Sequence, residues 1–135
     1  NLLMAYENED IEAVKAAYAP NCVSIGPRHD QVDSTLSWVE SNIEWFEGAD
    51  SIKMDIIKLL PQTVDEGDLA GDWVLAWVNL YWYNIKAEKK LVAMWHSPMR
   101  IEDGKIVYEV SYWNQWDVFK QLGAELKWPE KEEEE

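Results

Sequence analysis

Two ionisable side chains near the C-terminus have the types and spacing that could move a proton. His96 and Glu109 each lie in an apolar, strand-like run, and Asp103-Gly104 between them is typical of a tight turn that joins antiparallel strands. In such a hairpin His96 lies opposite or nearly opposite Ser111, with Glu109 two residues along. A histidine beside a buried carboxylate can act as a general acid or base near neutral pH. We therefore predict His96 and Glu109 as a catalytic pair.

Both residues also have a purely structural interpretation. An interior histidine is often satisfied by one hydrogen bond and takes no part in chemistry. A carboxylate on the outward face of a strand serves solubility, whereas one on the inward face must be protonated or paired. The residues alone leave these alternatives open for His96 and for Glu109.

Aromatic and polar side chains elsewhere in the chain could line a binding pocket. Residues 72–84 are rich in aromatic and β-branched side chains, which predicts a long strand. One face of that strand carries Trp77 and Asn79. The Trp77 ring would form a flat wall of the pocket, and the Asn79 amide would hydrogen-bond a polar group of the ligand. Both faces of the strand are apolar enough to be buried, so the sequence does not show which one faces inward. Two such faces indicate that the outer one is covered as well, which favours a homodimer that pairs through that face. The residues that we predict to bind a ligand are Tyr18, Trp77, Asn79, Ser111, Trp113 and Asn114.

Composition limits the classes of partner. The chain has 135 residues, and its 26 acidic and 12 basic side chains give a net charge of −14. Such a charge repels phosphate backbones and anionic membranes, so we expect neither nucleic acid nor a membrane as partner. Nine tryptophans and six tyrosines supply large, rigid rings, which favours a pocket for a small apolar or aromatic ligand.

The motifs present predict no cofactor and no metal site. The two histidines, His29 and His96, are far apart, and the sequence has no Gly-rich phosphate loop and no cysteine cluster. The single cysteine, Cys22, excludes an intrachain disulfide and fits a reducing compartment, which predicts a cytoplasmic protein. Export stays open, because the chain begins at Asn1 within a helix-like segment and not at a methionine.

Hydrophobic periodicity changes along the chain from helical to strand-like. The predicted helices cover residues 2–8, 10–18 and 33–48, with Asp10 as an N-cap and a closing helical turn around Val118. The predicted strands cover residues 22–25, 51–60, 72–84, 91–101 and 105–113. This order predicts an α+β fold, a cone-shaped curved antiparallel sheet packed on about three N-terminal helices. Residues 1–123 are assigned to this domain and residues 124–135 to an acidic, flexible tail.

Three regions of the sequence carry a family pattern. The first contains Asn8-Glu9-Asp10-Ile11-Glu12-Ala13 and Tyr18-Ala19-Pro20-Asn21-Cys22-Val23, and the second is Asp72-Trp73-Val74-Leu75-Ala76-Trp77. The third and clearest is the closing block, which contains Arg100-Ile101-Glu102-Asp103-Gly104-Lys105-Ile106-Val107, Tyr112-Trp113-Asn114-Gln115 and Gln121-Leu122-Gly123. Together they resemble the SnoaL-like (polyketide cyclase-like) family of the nuclear-transport-factor-2-like superfamily. The resemblance covers residues 1–123. It implies a cone-like α+β fold, a homodimer through the outer sheet face, and a hydrophobic pocket in which enzymes of the family use an acid–base pair without a metal.

The same resemblance does not carry a mechanism over directly. Many relatives have aspartate where this chain has Asn114, and the family's aspartate after Ala-Pro is Asn21 here. Asparagine does not titrate usefully and cannot be a general base. Two functions therefore stay open. One is a cofactor-independent cyclase, isomerase or hydrolase, favoured by His96 and Glu109; the other is a non-catalytic ligand-binding or dimerisation module, favoured by the two asparagines.

Overall fold

One curved, six-stranded sheet with helices packed against its inner face makes up residues 1–129, the part of the chain that the computed structural model describes. The helices are α1 (Leu2–Glu7), α2 (Ile11–Ala17), α3 (Thr35–Gly48) and α4 (Gln115–Gln121). The strands are β1 (Tyr18–Ile25), β2 (Val32–Ser34), β3 (Ala49–Val64), β4 (Gly71–Asn84), β5 (Lys89–Glu102) and β6 (Lys105–Val110). They lie in the order β2-β1-β6-β5-β4-β3, and each neighbouring pair is antiparallel except β1 and β6, which run parallel. The predicted α+β fold is confirmed, with this one parallel pair in a sheet that was predicted as antiparallel.

Each of the three N-terminal helices begins at a polar cap. The side chains of Asn1, Asp10 and Ser34 accept hydrogen bonds from backbone N–H groups two or three residues further along. These caps satisfy amide groups that have no partner inside the helix. The predicted cap at Asp10 is confirmed, and α3 ends at Gly48, where a glycine predicts the C-terminal stop of the helix.

The second helix ends earlier than its apolar spacing predicts. Its last residue is Ala17, and Tyr18 has an extended backbone and pairs with Ile106 of β6. The nearby Pro20 cannot continue a helix, and the residue before a proline avoids the helical conformation. The prediction of Tyr18 as helical was therefore wrong: pairing with β6 begins β1 there and buries the Tyr18 side chain in the core.

The hairpin between β5 and β6 turns at Asp103-Gly104, as predicted, with both residues at positive φ (49° and 76°). A β-bulge between Arg100 and Ile101 then shifts the register by one residue. His96 consequently pairs with Tyr112 and not with Ser111. Because successive residues of a strand face opposite sides of the sheet, this shift changes which side chains share a face.

Strand β4 shows which of its two apolar faces meets the core. Ala76 and Val78 are fully buried against the helices, whereas Trp77 and Asn79 lie on the outer face and are half-buried. The core beneath the inner face combines residues of helices and strands, among them Leu3, Tyr6, Val14, Cys22, Trp95, Met99 and Ile106. Residues 75, 77 and 79 of β4 are thus unavailable to a site on the inner face.

Beyond α4 and its closing turn, residues 124–129 have no regular structure and are exposed. The rest of the predicted acidic tail, residues 130–135, lies outside the described residues, so the domain boundary at residue 123 stays a prediction. None of the helices described within residues 1–129 is both long enough and apolar enough to cross a membrane. The cytoplasmic location also stays a prediction.

Candidate functional site

A cavity of about 410 Å³ lies between the inner face of the sheet and the helices. Its size falls in the range of about 300–1,000 Å³ that is usual for small-molecule sites. Aromatic side chains from five separate parts of the chain line it: Tyr6, Trp38, Trp45, Trp82, Trp95 and Trp113. The cavity therefore collects five of the nine tryptophans of the sequence.

The remaining polar lining is uncharged. Gln31, Ser41, Asn42, Asn84, Ser111 and Gln115 are the polar side chains on the cavity wall. Five of these six side chains, all but Gln115, make a hydrogen bond within the protein. Trp95, for example, donates from Nε1 to Ser111 Oγ at 3.2 Å, and Asn42 donates from Nδ2 to the Trp38 carbonyl at 2.8 Å. No Lys, Arg, His, Asp or Glu stands among the lining residues of the described chain.

The carboxylate of Glu109 lies deep beside this cavity and is completely buried, with 0% of the residue exposed. The parallel pairing of β1 with β6 sets Ser24 directly beside it, and both side chains face inward. Ser24 donates from Oγ to Oε1 at 2.9 Å, and Tyr18 donates from its hydroxyl to Oε2 at 3.1 Å. Burial raises the pKa of Glu109 to about 7, although these two hydrogen bonds act in the opposite direction.

A second tyrosine extends this contact to the cavity. The hydroxyl oxygens of Tyr18 and Tyr6 are 3.3 Å apart, and Tyr6 lies on the cavity wall. Burial, followed by the neighbouring charge of Glu109, raises the pKa of Tyr6, and burial also raises the pKa of Tyr18 well above its ordinary value. Both phenols are therefore neutral at physiological pH, and each can donate one hydrogen bond and accept others. Glu109, Tyr18 and Tyr6 form one hydrogen-bonded chain, which we call the inner chain.

Trp38 adds an unused donor next to the inner chain. Its ring centroid is 6.5 Å from that of Tyr18, and its Nε1 is buried without a hydrogen-bond partner among residues 1–129. An indole N–H can only donate, so it needs an acceptor to be satisfied. A ligand atom or a water molecule in this corner of the cavity would meet that need.

His96 lies on the opposite face of the sheet from Glu109. Its ring stacks on Trp77, with centroids 4.5 Å apart, and lies 6.1 Å from Tyr112. Its Nδ1 donates to the backbone carbonyl of Ala76 at 2.7 Å. The structure therefore does not bring the two predicted catalytic residues together. The one-residue shift at the bulge is the reason, because it places Met99, and not a residue on the His96 face, opposite Glu109.

The predicted ligand-binding residues divide between the two faces of the sheet. Ser111 and Trp113 line the cavity, and Tyr18 belongs to the inner chain. Trp77 and Asn79 lie on the outer face. Asn114 is the N-cap of α4, where its side chain accepts from the backbone N–H of Asp117 at 3.0 Å.

Several residues of the site do not stand out in the sequence. Tyr6 has the spacing of an apolar helix residue, and Ser24 that of a short strand. The inward parity of Ser24 could have been inferred from the alternation with Cys22, because both face the core. The part played by Trp38 and Asn42 depends on how α3 lies over the sheet, which periodicity does not specify. Within residues 1–129, no group of three or more His, Cys, Asp or Glu side chains could hold a metal ion.

By sequence, the chain matches no protein-family model and no curated protein. By structure it is similar to a hypothetical protein with a ketosteroid isomerase-like fold from Catenulispora acidiphila, solved in complex with trimethylamine (TM-score 0.74, 13% identity, 95% of this chain and 93% of that chain). It is also similar to IdmH, a candidate polyketide cyclase from Streptomyces antibioticus (TM-score 0.72, 17% identity, 91% and 94%). A third similar structure is an LEH-like epoxide hydrolase from M. tuberculosis (TM-score 0.67, 17% identity, 90% and 83%). The chain has the nuclear-transport-factor-2-like fold, so the predicted resemblance is confirmed at the level of the fold.

Proposed function

We propose that this protein binds a small, largely apolar molecule in the aromatic-lined cavity and transfers a proton to or from it without a cofactor. The observation that carries the proposal is the inner chain, in which a fully buried carboxylate is linked through two phenols to the cavity wall. A buried carboxylate with a pKa of about 7 is present in both protonation states near neutral pH, which suits a general acid or base.

The inner chain can work in either direction because each phenol both donates and accepts. With Glu109 ionised, Tyr18 donates to Glu109 and Tyr6 donates to Tyr18, so the Tyr6 oxygen is an acceptor for a proton that leaves the ligand. That proton moves onto Tyr6 as the Tyr6 and Tyr18 protons move one place inward, and Glu109 ends protonated. With Glu109 protonated, all the hydrogen bonds reverse and Tyr6 donates towards the cavity.

The lining of the cavity supports an apolar ligand. Rigid indole rings bury large areas at small entropic cost, and neutral amides and hydroxyls can orient a ligand without charge. The similar structures include a candidate cyclase and an epoxide hydrolase, and the Catenulispora protein holds a small molecule. These proteins support a small-molecule site in this fold, and the choice of reaction rests on the inner chain alone.

Isotope exchange tests the proposal without knowledge of the natural substrate. A panel of small apolar ketones such as 2-tetralone is incubated in D2O, and loss of the acidic C–H signals is followed by NMR. We expect exchange with the native protein to exceed that with Glu109→Gln by about a hundredfold or more, the usual size of a general acid–base contribution. Tyr6→Phe is expected to lose most of the same enhancement, because the ligand then has no hydroxyl to contact.

His96→Asn is the matched control, since His96 lies in the same hairpin but on the outer face. It is expected to exchange within about twofold of the native rate. Equal rates for the native protein and Glu109→Gln across the panel would contradict the proposal, as would a loss in His96→Asn as large as that in Glu109→Gln.

A second candidate function is non-catalytic ligand binding. The observation that favours it is that both oxygens of Glu109 already accept hydrogen bonds and that the residue itself is not on the cavity wall. Ligand binding without any exchange in the panel is the result that would select this candidate.

We also propose that two copies pair through the outer face of the sheet. That face carries aromatic and apolar side chains with no covering element in the described chain, including Met94 at 65% and Tyr112 at 56% exposure. Exposed apolar areas of this kind usually mark an interface. Met94→Lys is expected to convert a dimer to monomers in sedimentation equilibrium, whereas Met4→Lys, at a similarly exposed methionine on α1, is expected to leave it intact. A native protein that sediments as a monomer would refute the pairing.

A further inference from the structure

The charge and ring geometry of the cavity point to a narrower class of ligand than an apolar molecule. We infer that the ligand carries a positively charged ammonium group, seated against the tryptophan faces, on an apolar body. This inference rests on the proposed function, because it takes the cavity as the binding site, and it adds the chemical class of the ligand.

The aromatic rings meet at steep angles and so form a corner. The centroids of Tyr6 and Trp45 are 6.2 Å apart with their planes at 59°, and those of Trp45 and Trp82 are 6.3 Å apart with their planes at 80°. All three residues line the cavity. These angles set the ring planes as adjacent walls of one corner of the cavity, and the inference takes their faces as the surfaces that a cation contacts. A cation is attracted to the face of each ring, and quaternary ammonium groups are recognised in such aromatic cages.

Electrostatics favours a cation over an anion in this cavity. The described lining residues include no Lys, Arg or His that could pair with an anionic ligand. The one carboxylate that is fully buried beside the cavity, Glu109, reaches it through the phenols of the inner chain. The whole chain has a net charge of −14, which attracts a cation towards any opening.

The polar lining fits an ammonium group that has few or no N–H donors. Two oxygen acceptors of the wall are used within the protein: Ser111 Oγ accepts from Trp95, and Asn84 Oδ1 accepts from the backbone N–H of Ala87. A quaternary ammonium group needs no hydrogen-bond acceptors, and it loses less hydration on burial than a primary amine. The volume of about 410 Å³ leaves room for an apolar body beside such a group.

The test compares a cation with its neutral carbon isostere. Benzyltrimethylammonium and neopentylbenzene have nearly the same shape and differ in charge. Each is used to displace a neutral fluorophore, N-phenyl-1-naphthylamine, from the native protein. We expect the cation to displace it with a dissociation constant lower by about tenfold or more, and we expect this preference to persist at about 0.5 M salt, where long-range attraction is screened.

Substitutions in the corner locate the effect. Trp45→Leu and Trp82→Leu keep an apolar wall but remove a π face, so the cation should lose several-fold more affinity than the isostere. Trp128→Leu is the matched control, because Trp128 is 82% exposed and is not among the lining residues. Thermal unfolding of each variant shows whether it is folded, and the comparison of the two probes on the native protein needs no variant.

The outcomes separate this inference from the proposed function. A neutral isostere that displaces the fluorophore as well as the cation does, or a preference that disappears in salt, overturns the ammonium inference and leaves the apolar site standing. If neither probe displaces the bound fluorophore, the ammonium inference is likewise overturned and the apolar site is retained. Failure of the fluorophore itself to bind overturns both.

Discussion

The two faces of the β5–β6 hairpin place two ionisable residues in opposite surroundings. Glu109, on the inner face, is completely buried and accepts hydrogen bonds from Ser24 and Tyr18. His96, on the outer face, is half-buried, stacks on Trp77 and donates to a backbone carbonyl. Both look like candidate acid–base residues in the sequence, but only Glu109 connects to a cavity. Surroundings, and not residue type, decide which group is available for chemistry.

The largest expected effect of this difference is on the free energy of unfolding, and specifically on how that free energy changes with pH when Glu109 is substituted. Its raised pKa means that the folded protein holds the proton more tightly than the unfolded chain does, so its contribution to stability falls as the pH rises from about 4.5 to about 7. Glu109→Gln cannot ionise. We expect it to match the native protein at about pH 4 and to be more stable by roughly 3 kcal/mol at about pH 8, from ~1.4 kcal/mol per pKa unit.

Urea denaturation at a series of pH values measures the difference between the two proteins. Because other carboxylates titrate equally in both, the difference isolates Glu109. Parallel stability curves for the native protein and Glu109→Gln would mean that the carboxylate is not held in an unfavourable environment.

The affinity for a ligand should fall when a tryptophan of the inner face is replaced and should hardly change when one of the outer face is replaced. Trp82 lines the cavity and Trp77 lies outside it. Trp82→Leu is expected to weaken binding of N-phenyl-1-naphthylamine by about tenfold, which is ~1.4 kcal/mol, through lost aromatic contact. Trp77→Leu is expected to change it by less than about twofold. A fluorescence titration that ranked the two variants in the reverse order would place the binding site on the outer face.

Helix α4 offers a smaller effect that separates a structural role from a site role. Asn114→Ala removes the N-cap of α4 and is expected to cost about 1 kcal/mol of stability in urea denaturation. Because the side chain is used by the helix, ligand affinity and ketone exchange should stay at native values. If Asn114→Ala had native stability but a lower rate of ketone exchange, Asn114 would have a role in the site and not only in the helix.

His96→Asn should have the smallest effect of all. The change removes one ring stack and one hydrogen bond at a half-buried position, so the expected loss is below about 1 kcal/mol. The pH dependence of stability that Glu109 produces should be unchanged. A flattened pH profile in this variant would mean that the two faces of the sheet are coupled and not independent.

Periodicity and turn chemistry were sufficient for most of the fold. The N-cap at Asp10, the end of α3 at Gly48 and the turn at Asp103-Gly104 are local signals, and each is confirmed. The start of β1 at Tyr18 was missed because its partner, Ile106, lies far away in the sequence. Pairing with this distant strand outweighed the helical spacing of Tyr18 with Ile11 and Val14.

The candidate site was less predictable, for an identifiable reason. A bulge of one residue at Arg100 and Ile101 reverses the face on which His96 lies, and nothing in the local sequence marks it. Glu109, Ser111 and Trp113 all follow the bulge in the chain, so their alternate spacing still places them on the same inner side. Tyr6 is brought to the inner chain by the packing of α1 on the sheet, which depends on the whole fold.

Titration of the Glu109 side-chain carboxyl by ¹³C NMR shows directly whether burial on the inner face raises the pKa of this group into the neutral range. We expect a midpoint near pH 7 in the native protein, and a still higher midpoint in Tyr18→Phe, where a hydrogen bond that favours the ionised form is lost. A midpoint near the ordinary carboxyl value of 4.5, unchanged in Tyr18→Phe, would contradict this expectation.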